Sequence, residues 1–210
     1  VTIAVAAAPV LAAAQPRTDL YLAPLVSIQP DSVEPPRFGR PVGLNKGISG
    51  TQPGLALGIT HLTRRGVVLG FELSTTTKMS VEQSGGLVFY ASRAICTEGG
   101  CGPVTAQHSD TLFSFLAGGR LRWGKGALEL VAGPGLVFGT PAQGSYDVPD
   151  AAGLVALSAG ANGVIPLGER VDLSPSFRYA HVFRGENVEH VGLGSHIFRI
   201  GLGLRFRIGG

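Results

Sequence analysis

The chain has 210 residues, enough for one domain or one all-β barrel. Glycine is frequent at 32 residues, only 15% are charged, and the mean hydropathy is positive. Past the N-terminus no uninterrupted apolar run reaches the roughly 18 residues a spanning helix needs. A net charge of +3, without a Lys/Arg cluster interleaved with aromatics, excludes nucleic acid as an expected partner.

The first 14 residues end in a small-residue pattern, Ala12-Ala13-Ala14, behind the apolar stretch Ile3 to Leu11. This is the form of a signal-peptide core and cleavage site. Residues 1–14 are therefore expected to be a signal remnant and 15–210 an exported barrel domain. Export also suits Cys96 and Cys101, which enclose a four-residue insert with two glycines. They are expected to form a loop disulfide, because exported chains meet an oxidising compartment.

Eight segments of alternating character follow. The first runs Asp19 to Ser27 with Leu20, Leu22, Pro24 and Val26 on one face. After a Pro/Gly-rich connection, Gln29 to Gln52, the second runs Gly54 to Leu62. Arg64-Arg65-Gly66 turns it into the third, with Leu69 and Phe71 opposite Gly70 and Glu72. A long connection from Lys78 to Asp110 holds the cysteines. The fourth sets Phe113, Phe115 and Trp123 against Ser114, Arg120 and Arg122, and Gly124-Lys125-Gly126 leads to the fifth, with Leu130 and Leu136 opposite Glu129 and Gly133. Beyond Thr140 to Asp150, the sixth sets Val155 and Leu157 against Ser158 and Asn162. Leu167-Gly168-Glu169 gives the seventh, with Phe177 and Tyr179 opposite Asp172 and Arg178. Arg184 to Gly194 precedes the last, Ser195 to Ile208, whose Phe198, Ile200, Leu202, Leu204 and Phe206 oppose Arg199, Gly201, Gly203, Arg205 and Arg207.

Long and short connections alternate strictly. In an up-and-down sheet this puts every long connection at one end and every tight turn at the other, the layout of a membrane barrel. The three tight turns also have the parity that keeps like faces together, since a one-residue slip would reverse every side chain. Pairing Trp123 with Leu128, Leu62 with Val68 and Val164 with Asp172 satisfies it.

The large apolar side chains lie on one face, and small and charged ones on the other. Eight strands leave an interior only wide enough for side chains, which suits the small residues. The polar face also balances charge, with Arg120, Arg122, Arg178, Arg199, Arg205 and Arg207 against Asp19, Glu72, Glu129 and Asp172. Buried charges need partners and solvated ones do not, so these ten are expected to line the lumen. Asp19, Asp172, Arg205 and Arg207 are expected to cluster where the last strand closes against the first. Trp123 and Phe206 near the turns, and Phe113, Phe138, Tyr179 and Phe183 near the long connections, are placed as interfacial girdles.

The signal, the four hairpins and the final GLGLRFRI resemble the small eight-stranded outer-membrane barrels of the OmpA/OmpX and opacity-protein type. The resemblance implies an all-β, eight-stranded antiparallel up-and-down transmembrane barrel in the cell outer membrane. It implies outer-membrane lipid and lipopolysaccharide, the barrel-assembly machinery and an extracellular ligand held by the loops as partners, with the chain a monomer. It does not choose an activity, because fold does not settle function.

A structural or surface-interaction role with a plugged, charged lumen is the expected function, against a narrow pore or a lipid A-modifying enzyme. Arg178-Tyr179-Ala180-His181-Val182-Phe183 is similar to the Arg-Tyr-x-His-x-Ser start of lipid A deacylases. That chemistry needs a serine two residues beyond the histidine, to be activated from the same strand face. Phe183 stands there, so no catalytic residue is expected. His61, His108, His190 and His196 lie on separate segments without helical metal-ligand spacing, and Asp147 to Asp150 makes a poor cation cage. No metal or cofactor is expected.

Overall fold

The computed structural model describes residues 15–30, 50–77, 79–83, 89–90, 93–94, 104–139, 153–183 and 196–208. Within them are twelve strands: β1 (Arg17–Gln29), β2 (Gly50–Leu62), β3 (Val67–Thr76), β4 (Met79–Gln83), β5 (Phe89–Tyr90), β6 (Arg93–Ala94), β7 (Val104–His108), β8 (Asp110–Trp123), β9 (Gly126–Gly139), β10 (Leu154–Pro166), β11 (Val171–Val182) and β12 (His196–Arg207). Eight of them close an antiparallel barrel in the order β1-β12-β11-β10-β9-β8-β3-β2. β4 pairs with β7 and β5 with β6, as small ribbons within the β3–β8 connection. These short strands were not expected. Neither Met79–Gln83 nor Val104–His108 carries the run of large apolar residues that marks the barrel strands. Cys96, Cys101 and residues 1–14 lie outside the described residues.

Alternation explains the barrel. Along β1, Asp19, Tyr21, Ala23, Leu25 and Ser27 are buried, while Leu20, Leu22 and Val26 between them are exposed. Successive side chains leave opposite faces of a strand, so each strand has one lumen row and one outer row. The outer row is apolar even at mid-strand, where Leu22 is 45% exposed, Leu130 50% and Leu202 56%. A continuous apolar exterior of this kind is costly in water and is what a bilayer requires. Closure leaves no unpaired strand edge, the condition for backbone to cross hydrocarbon.

The seam is where the sequence put it. β12 lies between β11 and β1, with Asp172 opposite Arg205 on one side and Asp19 opposite Arg207 on the other. At the first tight turn Leu62 pairs with Val68 and Gly58 with Glu72, as expected. The other two hairpins keep the expected faces but close two residues out of the expected register. β8–β9 turns at Gly124-Lys125, so Trp123 pairs with Gly126 and Arg120, rather than Arg122, with Glu129. β10–β11 pairs Pro166 with Asp172 and Asn162 with Ser176. Parity rejects a slip of one but is blind to a slip of two, because the side-chain period is two.

The lumen is less polar than its charges suggest. Leu112, Val137, Leu154, Val182 and Ile197 pack together inside one end, and Leu62, Val68, Leu116 and Val131 form a second cluster. Outside, Phe71 meets Phe115 at 5.2 Å between ring centroids, and Phe113 meets Phe138 edge-on at 5.6 Å.

Candidate functional site

Among the described residues, the buried charges lie in the lumen in three groups. Nearest the long connections, Arg199 on β12 donates from Nη2 to Asp110 Oδ1 at 2.8 Å and from Nη1 to the Ser74 carbonyl at 3.1 Å, and also bonds the Ser74 hydroxyl. Asp110 accepts in addition from Thr76 Oγ1 at 2.7 Å and Gln29 Nε2 at 2.9 Å. β12 and β8 lie four strands apart round the closed sheet of eight, so the Arg199–Asp110 pair crosses the full diameter.

The middle group joins Arg178 on β11 to Glu72 on β3, again four strands apart. Nη2 and Nε of Arg178 donate to Glu72 Oε2 at 2.7 and 3.1 Å, and the Tyr21 hydroxyl donates to the same oxygen. The close approach explains Gly58, where a Cβ would run into the Tyr21 ring; at Gly160 a Cβ would meet the Phe177 carbonyl oxygen of the adjoining strand first and Arg178 Cδ next, at 2.8 Å.

At the tight-turn end the pairs fuse into a network. Arg205 Nη1 donates to both oxygens of Glu129, at 3.0 and 2.9 Å, and lies 3.6 Å from Asp19. Arg207 meets Asp172 at 2.7 Å. Arg17 ties the two halves, 3.1 Å from both Asp19 and Asp172. Arg120 approaches Glu129 only to 3.8 Å.

Of the ten expected lumen charges, the structure brings Asp19, Glu72, Arg120, Glu129, Asp172, Arg178, Arg199, Arg205 and Arg207 into these groups. Arg122 is the exception. The hairpin closes at Gly124-Lys125, so Arg122 faces Ala127 at the barrel mouth and is exposed, without an ion pair among the described residues. Two members were missed, Asp110 and Arg17. Asp110 opens β8 with the parity of Ser114 and Arg120, so continuing the alternation two steps backward would have found it.

A wide cavity of about 1180 Å³ opens at the tight-turn end, lined in part by Arg17, Arg120, Arg122, Lys125, Arg170 and Arg207. His181 points outward from β11, edge-on to Phe183 at 4.9 Å and 5.2 Å from His196. The Tyr179 hydroxyl bonds His196 Nδ1 at 2.8 Å, so among the described residues this is an external aromatic cluster. No group of metal-ligating side chains occurs among the described residues.

The chain matches no family model and no curated protein. Solved structures do resemble it. Ail, the attachment invasion locus protein of Yersinia pestis, determined in complex with the heparin analogue sucrose octasulfate, superposes with a TM-score of 0.56 at 12% identity, covering 93% of this chain and 100% of that one. A major outer membrane protein from Thermus thermophilus gives 0.54 at 12% identity, covering 90% and 99%. Neisserial surface protein A gives 0.52 at 11%, covering 92% and 97%. The chain has the fold of the small eight-stranded outer-membrane β-barrels.

Proposed function

We propose that this chain is a non-enzymatic outer-membrane barrel that uses its lumen for rigidity and its long connections for contact at the cell surface. The observation that carries this reading is the pair of diametric ion pairs, Arg199–Asp110 and Arg178–Glu72. They cross an interior that eight strands already make narrow, which supports a lumen without a porin-like path. Chemistry is then left to the four connections at one end. The neighbours whose fold it shares include proteins named for attachment and for the cell surface.

The sulfated ligand named for Ail does not carry over easily. The connections 30–49, 78–108, 140–152 and 184–195 together hold six Lys/Arg against eight Asp/Glu, a net negative set that disfavours a polyanion. A neutral or cationic surface is the better match.

Cells expressing the protein are expected to adhere to a cultured-cell monolayer, and deletion of residues 32–48 is expected to reduce adhesion. Heat-modifiable migration of the deletion variant on gels reports that the barrel still forms. Unchanged adhesion by a folded variant would remove the surface role from that connection. Discrete conductance steps in a planar bilayer would overturn the closed lumen and favour a narrow pore.

A further inference from the structure

The two inner charge groups are balanced, one arginine to one acid each, but the tight-turn end is not. Arg17, Arg120, Arg205 and Arg207 face only Asp19, Glu129 and Asp172 there. Around the mouth stand five further cations, Arg64, Arg65, Arg122, Lys125 and Arg170, against the single acid Glu169. This end therefore holds nine of the chain's 17 cations and four of its 14 acids, while the whole chain is only +3. The excess here is larger than that of the entire molecule, because the connections at the other end are net negative.

The excess is also directed. Arg17, Arg120, Arg122, Lys125, Arg170 and Arg207 all line the cavity of about 1180 Å³. Arg122, Lys125 and Arg170 are exposed and have no ion pair among the described residues. Arg120 is the telling member. Its side chain is 9% exposed, so it has given up most of its water. Yet its nearest acid, Glu129, stands at 3.8 Å, too far for a hydrogen bond, and Glu129 already receives two from Arg205. Its guanidinium nitrogens are nonetheless not sealed from solvent, so this cation, without a hydrogen-bonded acid among the described residues, turns open donors to the cavity where an anion could take them. Like charges round a concave low-dielectric wall also concentrate counter-ions there.

We propose that this vestibule is a binding site for a phosphate-bearing anion, with Arg120, Arg122 and Lys125 as its principal donors. Planar guanidinium groups match phosphate oxygens two at a time, and the adjacent ammonium adds a flexible point charge. The cavity is large enough for a phosphorylated headgroup or a diphosphate. Two sources fit that chemistry, the headgroup of an anionic phospholipid of the adjoining leaflet and a soluble phosphate ester.

The test is calorimetric titration of pyrophosphate into the purified protein in a zwitterionic detergent. Saturable binding of one pyrophosphate per barrel is expected. Arg122→Gln with Lys125→Gln, which breaks no ion pair of the barrel, should weaken it about tenfold or more. Arg64→Gln with Arg65→Gln removes the same charge from a turn that does not line the cavity, and should leave affinity within about twofold. Heat-modifiable migration checks that both variants fold. Displacement of pyrophosphate by dihexanoylphosphatidylglycerol supports the site with a lipid source; displacement by glycerol phosphate alone supports it with a soluble one. No saturable binding, or equal weakening by the two double variants, would overturn the proposal.

Discussion

Arg178 shows what a buried charge does in this barrel. It is 4% exposed, and its guanidinium is held by Glu72 across the lumen and by the Phe177 carbonyl at 3.0 Å. Taking two charges out of water costs nearly as much as their attraction returns, so the intact pair adds little net stability. Losing one partner is different, because the other remains buried and uncompensated. Arg178→Met alone is expected to cost about 3–5 kcal/mol, read by urea unfolding in lipid vesicles. Adding Glu72→Leu and Tyr21→Phe removes the stranded groups and is expected to restore most of that loss. A triple variant as unstable as the sum of its parts would show that the three side chains do not act together. Such reasoning also marks where single residues were legible. Arg178 and Glu72 stand in the middle of strong alternating runs, so their face was plain. Asp110 and Arg17 sit at strand ends beside polar or Pro-containing sequence, where a lumen charge and a loop charge look alike.

The tight turns show how far pattern reaches at the scale of the element. Trp123-Gly124-Lys125-Gly126 offers two glycines, and either could take a left-handed backbone. The structure uses Gly124, with φ of +56°. That choice moves the hairpin two residues and decides which arginine meets Glu129. Alternation could not choose, since both registers keep apolar residues outside. Gly168 offers a contrast. It lies in the β10–β11 turn with nothing near its absent Cβ and without a positive φ. Gly124→Val is therefore expected to destabilise the barrel by about 1–2 kcal/mol, because an L side chain strains in the left-handed region. Gly168→Ala is expected to be neutral or to stabilise by up to about 1 kcal/mol, through a less flexible unfolded chain. Urea midpoints of the two variants, compared with the parent, separate these outcomes; equal losses would mean that turn geometry does not control either hairpin.

For the whole molecule, the decisive property is which side of the sheet is greasy. Eight alternating strands would also build a soluble barrel with its apolar face inward. Here the lumen takes Arg178, Arg199 and Arg205, each under 5% exposed, while leucine, isoleucine, valine and phenylalanine dominate the outer rows. That inversion was readable from the sequence because the charged face was also the small face, and only a narrow interior demands both together. It makes a prediction opposite to the one for a protein in water. Leu130 is half exposed at mid-strand on β9, so in a soluble protein an arginine there would change stability by no more than about 0.5 kcal/mol. In hydrocarbon the same substitution has to carry a guanidinium into lipid. Leu130→Arg is expected to cost about 2–4 kcal/mol in vesicles, and the same change at Leu167, exposed in the β10–β11 turn, only about 0–1. The depth dependence is the informative part, since general loss of packing would not follow distance from the midplane. Equal costs at the two positions would contradict a bilayer around β9, and a steep difference between them would locate the hydrocarbon against the middle of the strand.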